Sequence, residues 1–541
     1  VAKKALDLNW DDSKQYKFFS REIFIPFLAC MLMAMGPMVN TTFSGIATSY
    51  LMADINAASF MNLQNIINSV FRACAALAWG GIFERYNQKS IILVLSLFQM
   101  AAGLLYTVVT NIPVLILGTL VGAIGSGGAM AGLITILGYL LPLQFRGTFH
   151  SIRSLINVGL TMVTPFGSWL ISSVSWRALY AFNFCCYTIT FLVVLIAVPS
   201  LPITKEVVKK KYDFVGMFIF ILGTAVLFTA SFMGGNILPW TSPWLYVFIV
   251  GGIFIYYLGL RYEKKHEDIA LISITLLKNR SFMSAILVGC MYFASFTVKS
   301  YEQLICVQGL GMALTAFTAV KVIPTMIGHG IGVVYPVLMQ KTGWYRQISG
   351  VVVVINVVSM MYWATMKNAT PVSVFIALML SAATPLSLGQ LLAVNSVEQK
   401  DMSKAGGTYS FMYYFSSALF SLIYNILLNN VHVANLKPIA SSYGIYDKLS
   451  ASQINTMSTY NVLASAKNLA AFKATFGSNT ELCDKAIKVI MECTTAASRS
   501  IFWVSAILTA TAIFGVFGLR KDMKIPIKPK VSNKEAVSKN S

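Results

Sequence analysis

Charge is what this sequence has least of. Only 11% of its 541 residues are Asp, Glu, Lys or Arg, against about a quarter in ordinary soluble domains. The deficit falls on the acids, with 20 Asp and Glu beside 41 Lys and Arg. So little charge argues against a soluble globule and for a lipid solvent. Histidine is rarer still, at four, and no Cys/His cluster among these and the eight cysteines has zinc-ligand spacing. No nucleophile, His and acid form a recognisable set. The Gly-rich stretch "GAIGSGGAMAG" lacks the lysine of a phosphate loop and lies in an apolar run, which excludes that route to ATP hydrolysis. The expectation is therefore no enzyme, and no bound metal or cofactor. A net charge of +21 could suggest nucleic acid, but the basic residues sit between apolar runs and read as topology signals.

What fills the chain is apolar: 56% hydrophobic residues and a mean hydropathy of +0.69. A membrane span needs about 20 mostly apolar residues. Such runs occur near 24–46, 60–83, 90–110, 113–141, 150–172, 177–199, 214–234 and 243–261, then near 281–305, 313–339, 347–366, 371–395, 405–429 and 498–518. An even number, fourteen, puts both termini on one side. Lys and Arg gather in the connections after even-numbered spans, among them Arg85, Lys89, Arg146, Lys209, Lys264, Lys341 and Arg346, so those connections and both tails are expected in the cytoplasm. The predicted fold class is an all-α integral membrane protein. Its parts would be a cytoplasmic segment 1–23, a six-span bundle 24–199, linkers and two extra spans 200–280, a second bundle 281–518, and a basic tail 519–541. The first span is expected to be retained rather than cleaved as a signal peptide.

One connection, 431–496, is long and polar, on the predicted outer side. Its "SASQ" at Ser450–Gln453 resembles a capping box, and helical patterns follow to Phe472 and from Leu482 to Met491, which predicts a helical insert. Cys483 and Cys493 lie within it. On one continuous helix they would stand about 15 Å apart, too far for a disulfide; on separate elements they could pair.

The turn after span 2, "GGIFERYNQKS", is echoed after span 10 by "YPVLMQKTGWYRQ". Aligning Glu84–Asn87 with Gln340–Gly343 puts a basic residue and a tight-turn residue in matching places. Removing spans 7 and 8 leaves six plus six, the arithmetic of a transporter built from two repeated bundles. On these motifs the sequence resembles the major facilitator superfamily, and within it the fourteen-span drug:proton antiporter branch. "GGIFERYNQK" is similar to the family's G-x-L-a-D-R-x-G-r-K loop, with Glu84 for Asp and Asn87 for Gly. "LVGAIGSGGAM" resembles its Gly-rich fourth span, "TPFGSWLISSVSWRALYAFN" its fifth-span antiporter motif, and "DFVG" at Asp213 the start of the first extra span. The resemblance implies a major facilitator fold with two extra helices, a bacterial inner membrane, and a conformational latch of Glu84, Arg85, Lys89 and Lys341. Two departures stand out: Met35 takes the place of the branch's span-1 Asp, with Val39-Asn40 retained, and Thr119 the place of its span-4 Arg. A membrane-embedded acid and base cost less as a pair than singly, so their joint loss is coherent.

The charges that remain inside spans are the candidate site. Arg72 falls near the middle of span 2, and Asn62, Asn65 and Asn68 precede it at three- and four-residue spacing, forming a polar stripe that should face protein or water. It could brace the bundles or bind substrate. Lys299 and Glu302 lie one turn apart in span 9, and Lys321 lies in span 10; Glu302 is the clearest acid in any span and the candidate proton carrier, with His329 beside it as a second. His150 and Arg153 read as snorkelling residues at the end of span 5. Tyr409, Tyr413 and Tyr414 could line an aromatic wall or simply pack. With Asn40, Asn65, Asn68, Arg72, Lys299, Lys321 and Tyr413 around a cavity, the expected function is secondary active, proton-coupled efflux of small anionic or amphipathic molecules. Export of lipophilic cations, a siderophore or metabolite carrier, and a non-transporting sensor are the alternatives. The expected partners are a small-molecule substrate, membrane lipids and a proton gradient.

Overall fold

Where no water competes, each backbone N–H and C=O must be satisfied within the chain, and the apolar runs answer with helices. The computed structural model describes residues 17–519 apart from short stretches, chiefly 35–37, 40–46, 56–60, 198–211, 234–241, 383–386, 398–400 and 459–462. The described residues between 23 and 54 are helical (α1). Five helices follow: α2 (Met61–Arg85), α3 (Gln88–Thr107), α4 (Ile112–Leu140), α5 (Leu143–Ser173) and α6 (Trp176–Ala197). A hairpin of α7 (Phe214–Met233) and α8 (Pro243–Lys265) leads to α9 (Arg280–Thr297), α10 (Leu314–Thr342) and α11 (Tyr345–Thr365). Then come α12 in two pieces (Pro371–Ala382 and Ser387–Asn395), α13 (Met402–Ser442) and α14 (Thr480–Gly518). No strand occurs among the described residues. Ten of these helices are long and apolar enough to cross a membrane, and Phe214–Ala230 and Pro371–Ala382 are shorter apolar helices.

Polar residues at the helix ends set the boundaries. The side chain of Asn87 accepts from Lys89 N and starts α3, Asn279 accepts from Ser281 N and Phe282 N at the start of α9, and Asn479 accepts from Leu482 N at the start of α14. The echo between the two turns is structural in place but not in chemistry. Gly343 closes α10 in the left-handed region, φ 72°, where glycine is favoured, whereas Asn87 has φ −59° and works as an N-cap.

Within the first half, α2 packs on α4 and α3 on α4 and α6; within the second, α14 packs on α9, α11 and α13. Two antiparallel seams join the halves. In one, α2 crosses α13: Ser69 and Ser417 share a hydrogen bond at 3.3 Å, and Ser403 Oγ donates to Gly80 O at 2.6 Å. In the other, α5 crosses α10, where Ser151 Oγ donates to Val333 O at 2.5 Å and Gly332 lies against Ser154. Small residues allow both approaches; a Cβ on Gly80 would stand 2.6 Å from Gly407 Cα.

The insert is narrower than its polar composition predicts, because α13 runs on to Ser442 and α14 starts at Thr480. Between them Ser450 and Gln453 form the expected capping box at the head of Ala451–Met457, and Ala466–Ala474 is also helical. Leu436, Met457, Phe472, Phe476 and Val489 bury one another in a separate small core. Cys483 and Cys493 are both on α14, buried and free, so the disulfide possibility is withdrawn: a continuous helix keeps them apart.

Replacing Gly80 by Val should overpack the α2/α13 crossing and cost about 1–3 kcal/mol, read as a lowered Tm in detergent. Gly251→Ala, at a position with open space around it, should leave Tm unchanged. Equal Tm values for the two variants would mean that the crossing carries no packing constraint.

Candidate functional site

The seams bring together groups that lie far apart in sequence. On α2, Arg72 is half-buried, and its guanidinium lies 5.8 Å from the ring centre of Tyr414 on α13. Its Nε has no hydrogen-bond partner among the described residues. On α5, Arg153 Nη1 donates to Gln390 Oε1 of α12 at 2.9 Å, a bond between the halves, and Gln390 Nε2 in turn points at Met130 Sδ of α4 at 2.8 Å. The fields of both arginines reach Tyr413 and Tyr414, Arg153 also lies near Tyr335 of α10, and Arg72 near Tyr187 of α6. Neither arginine has a carboxylate partner among the described residues; the ion pairs there are Arg177–Asp54 at 3.2 Å and Lys485–Glu481 at 2.6 Å.

Two half-buried guanidiniums, one over a ring face and one bonded to an amide, form a site of positive potential with fork-shaped donors. Such a site takes carboxylate, phosphate or sulfonate groups, and the tyrosine rings offer an apolar flank to the rest of an amphipathic molecule. Tyr413 itself packs edge-on against Phe293, ring centres 4.3 Å apart, and stacks along Tyr409 at 5.9 Å, so it both packs and borders the site.

Several expectations need correction. Arg153 is not a snorkelling end residue: α5 begins at Leu143, after Pro142, so Arg153 sits about 15 Å into the helix and reaches the opposite half. His150 is buried rather than at a water boundary. Asn68 is half-buried but Asn65 is exposed, so the polar stripe does not run wholly inward; the side chain of Asn62 and all of Asn40 lie outside the described residues. The latch residues do not converge in their described contacts. Arg85 Nη1 donates to Gly81 O at 2.5 Å and its guanidinium lies 5.4 Å from the Tyr212 ring, Lys89 Nζ donates to Leu195 O at 2.8 Å, and Lys341 is exposed. The Glu84 side chain lies outside the description.

Lys299, Glu302 and Lys321 form a second cluster, inside the second half. Lys299 Nζ donates to Ser381 O at 3.0 Å; Ser381 Oγ accepts from Trp363 Nε1 at 2.9 Å and bonds Ser359 Oγ at 2.8 Å. Glu302 is 1% exposed, its carboxyl is bonded by the Ser381 side chain while its Oε1 has no partner among the described residues, and it precedes a π-helical turn, Leu304–Gly309. Such turns recur at functional positions because they unseat one helical hydrogen bond. Lys321 lies over Phe317 at 5.5 Å, and His329, further along α10, feels the charge of Lys299. Thr119, in place of a charge, shares hydrogen bonds with Tyr106 at 3.0 Å and Gln64 at 3.2 Å, a neutral trio that needs no counter-ion.

Residues 27–421 match the profile of the Major Facilitator Superfamily. The chain belongs to this superfamily. Superfamily relatives include the efflux pump dotC of Dothistroma septosporum, 23% identical over 54% of this chain and 51% of that one. Two more are the MFS-type transporters calB of Penicillium decumbens, 22% identical over 69% of each chain, and ptmT of Penicillium ochrochloron, 22% over 81% and 79%. The chain thus spans about half the length of dotC and more of the others. Among solved superfamily structures, the human organic anion transporter MFSD10 superposes with TM-score 0.57 at 11% identity over 92% of this chain and 100% of that one. FucP in its outward conformation gives 0.52 at 13% over 90% and 99%. These likenesses establish the fold and a multi-pass membrane protein. They agree with a transporter rather than an enzyme. The antiporter branch is not singled out, and fungal relatives give no support to a bacterial inner membrane.

Breaking the bond across the halves tests the site's geometry. Gln390→Leu should destabilise more than the double variant Arg153→Met/Gln390→Leu, because it leaves a part-buried charged donor unsatisfied. The thermal-unfolding double-mutant cycle should return a coupling of about 1.5–3 kcal/mol. A coupling near zero would show that the two residues do not meet.

Proposed function

We propose that the chain is a secondary active transporter exporting small anionic or amphipathic organic molecules by alternating access. Two six-helix bundles, α1–α6 and α9–α14, rock about the Arg72/Arg153 site, with α7–α8 as extra spans, fourteen in all, and both termini in the cytoplasm. The observation that carries this reading is the pair of guanidiniums between the halves with no described carboxylate partner, bordered by tyrosines. The efflux names of fungal relatives and the organic-anion title of MFSD10 support it, as statements about those proteins. Glu302, buried among Lys299, Lys321 and Ser381, is the proposed carrier of a coupling proton, with His329 as the second titratable group on that side. Asn68, half-buried on α2 one turn from Arg72, is proposed to extend the polar lining, and Arg85, Lys89 and Lys341 to lie at the mouth on the predicted cytoplasmic side.

Purified protein in proteoliposomes under an imposed pH gradient, offered a panel of organic anions and lipophilic cations, checks this. Anions should move. Arg72→Gln and Arg153→Gln should each weaken their apparent affinity by about tenfold or more, the loss of one charge-assisted hydrogen bond or two. Glu302→Gln should leave binding and uncouple movement from the gradient. Transport of lipophilic cations that Arg72→Gln leaves untouched would make Arg72 a brace and give the site to cations.

A further inference from the structure

The helical hairpin outside the bundles holds two acids that the transport site does not use. Asp213, just before α7, is 1% exposed, and Glu263, in the last turn of α8, is fully buried. Asp213 Oδ1 accepts from Gly216 N at 2.7 Å and so caps α7, the Tyr262 hydroxyl also bonds Asp213, and the backbone N–H groups of Leu271 and Ile272 face the Glu263 carboxyl. The two carboxyl groups face each other across Gly216. A Cβ there would run into Asp213 Oδ2 and, at 2.7 Å, into Glu263 Oε1, which puts those oxygens within about 5 Å of each other.

The groups around the pair come from four elements. Tyr212 precedes Asp213, donates its hydroxyl to Ala78 O of α2 at 2.9 Å, and lies under the Arg85 guanidinium at 5.4 Å. Tyr262 of α8 is beside Asp213. Lys404 of α13 lies within electrostatic reach of Glu263, but its Nζ donates to Glu267 O at 3.0 Å. Glu267, past α8, accepts from Thr275 N at 2.9 Å and from the Ser273 hydroxyl at 3.3 Å, which ties the linker back on itself. This linker covers the Arg85 end of the α2/α13 seam: Leu271 lies against Gly81, and Thr408 Oγ1 donates to Leu271 O at 3.5 Å.

An ionised Glu263, buried and facing the Asp213 carboxylate, is penalised by burial and by that like charge, and a proton on Glu263 removes both penalties. We propose that Glu263, buried against Asp213 across Gly216, is a one-proton binding site that fastens the α7–α8 hairpin to the junction of α2 and α13, tight while the proton is bound and loosened when it leaves. The sign follows directly. Raising pH removes the proton and leaves a second negative charge facing Asp213, which Lys404, within electrostatic reach but hydrogen-bonded to Glu267 O, offsets only in part, and so destabilises the junction.

Full-length protein reconstituted in lipid, compared at acidic and alkaline pH by infrared difference spectroscopy, reads the site without reference to transport. A protonated-carboxyl C=O band should disappear as pH rises, and Glu263→Gln, which fixes a neutral side chain of nearly the same shape, should remove that band. In detergent, the wild-type Tm should fall as pH rises from the range where an ordinary carboxyl ionises up to the pH at which the band disappears, and level off above it, and Glu263→Gln should lose that fall. A spectrum that Glu263→Gln does not change, or a Tm slope that survives it, would overturn the proposal. Neither result bears on which substrate the Arg72/Arg153 site takes.

Discussion

The approach of α2 to α13 at Gly80 and Gly407 is the constraint on which the arrangement depends. With no side chain on either residue the two backbones come almost into contact, and the antiparallel course of the helices then dictates which residues meet on either side. Two turns from the crossing in one direction Arg72 is set opposite Tyr414, and a turn further Ser69 opposite Ser417. In the other direction Ser403 meets Gly80 and the linker from α8 closes over Gly81. A larger residue at the crossing would separate the helices and displace all these pairs at once. The α5/α10 seam repeats the scheme, with Ser151, Ser154 and Gly332 as its small residues and Arg153 as the charge it positions.

The buried charges are handled in three ways, and the differences suggest what each is for. Arg72 and Arg153 have rings and a neutral amide, partners that stabilise a cation without cancelling it, so their potential remains available to an anion. Lys299, Lys321 and Glu302 sit close enough to moderate one another, an arrangement suited to a group that changes protonation rather than one that recognises a ligand. Asp213 and Glu263 are like charges placed face to face, a geometry that water does not relieve and that a proton does.

Much of the fold is readable from the sequence because the bilayer imposes a single rule on the backbone: apolar runs of span length become helices, and Asn87, Asn279 and Ser450 announce their starts through side-chain capping. The site is legible only in part. Arg72 is visible as a charge in mid-run, since its depth alone makes it expensive. Arg153 is hidden by a boundary error: the residues "LQFRGTF" read as a connection before a span that starts near 150, whereas they form the first turns of α5 and put Arg153 well inside it. Pro142 was the available signal, since proline suits the beginning of a helix. Gln390, Tyr335 and Tyr187 could not be found in this way, because their role comes from contacts across seams whose register no local pattern specifies. The extent of α13 and α14 was misjudged for a related reason. Outside the apolar runs a helix can continue on polar residues, and only the small core around Met457 and Phe472 explains why these do.

The proposed alternating access would limit how strongly the halves can be tied. The described side-chain bonds between the halves are few and mostly neutral: Ser69 with Ser417, Ser403 to Gly80, Ser151 to Val333 and Gln390 to Met130, with charged donors in Arg153 to Gln390 at 2.9 Å and Arg146 Nη1 to Val394 O at 3.4 Å. A neutral hydrogen bond contributes about 0.5–1.5 kcal/mol net, and one to a charged group about 1.5–3. Such a set holds one conformation together yet can be exchanged for another set in a thermal cycle, whereas a buried ion pair with no replacement would fix it. Arg153 has a particular place in that balance. Its acceptor is an amide, weaker than a carboxylate, so an anionic ligand can displace Gln390 and in doing so remove the strongest of the described ties between the halves. Recognition of the anion and release of the closed seam would then be one event at one guanidinium.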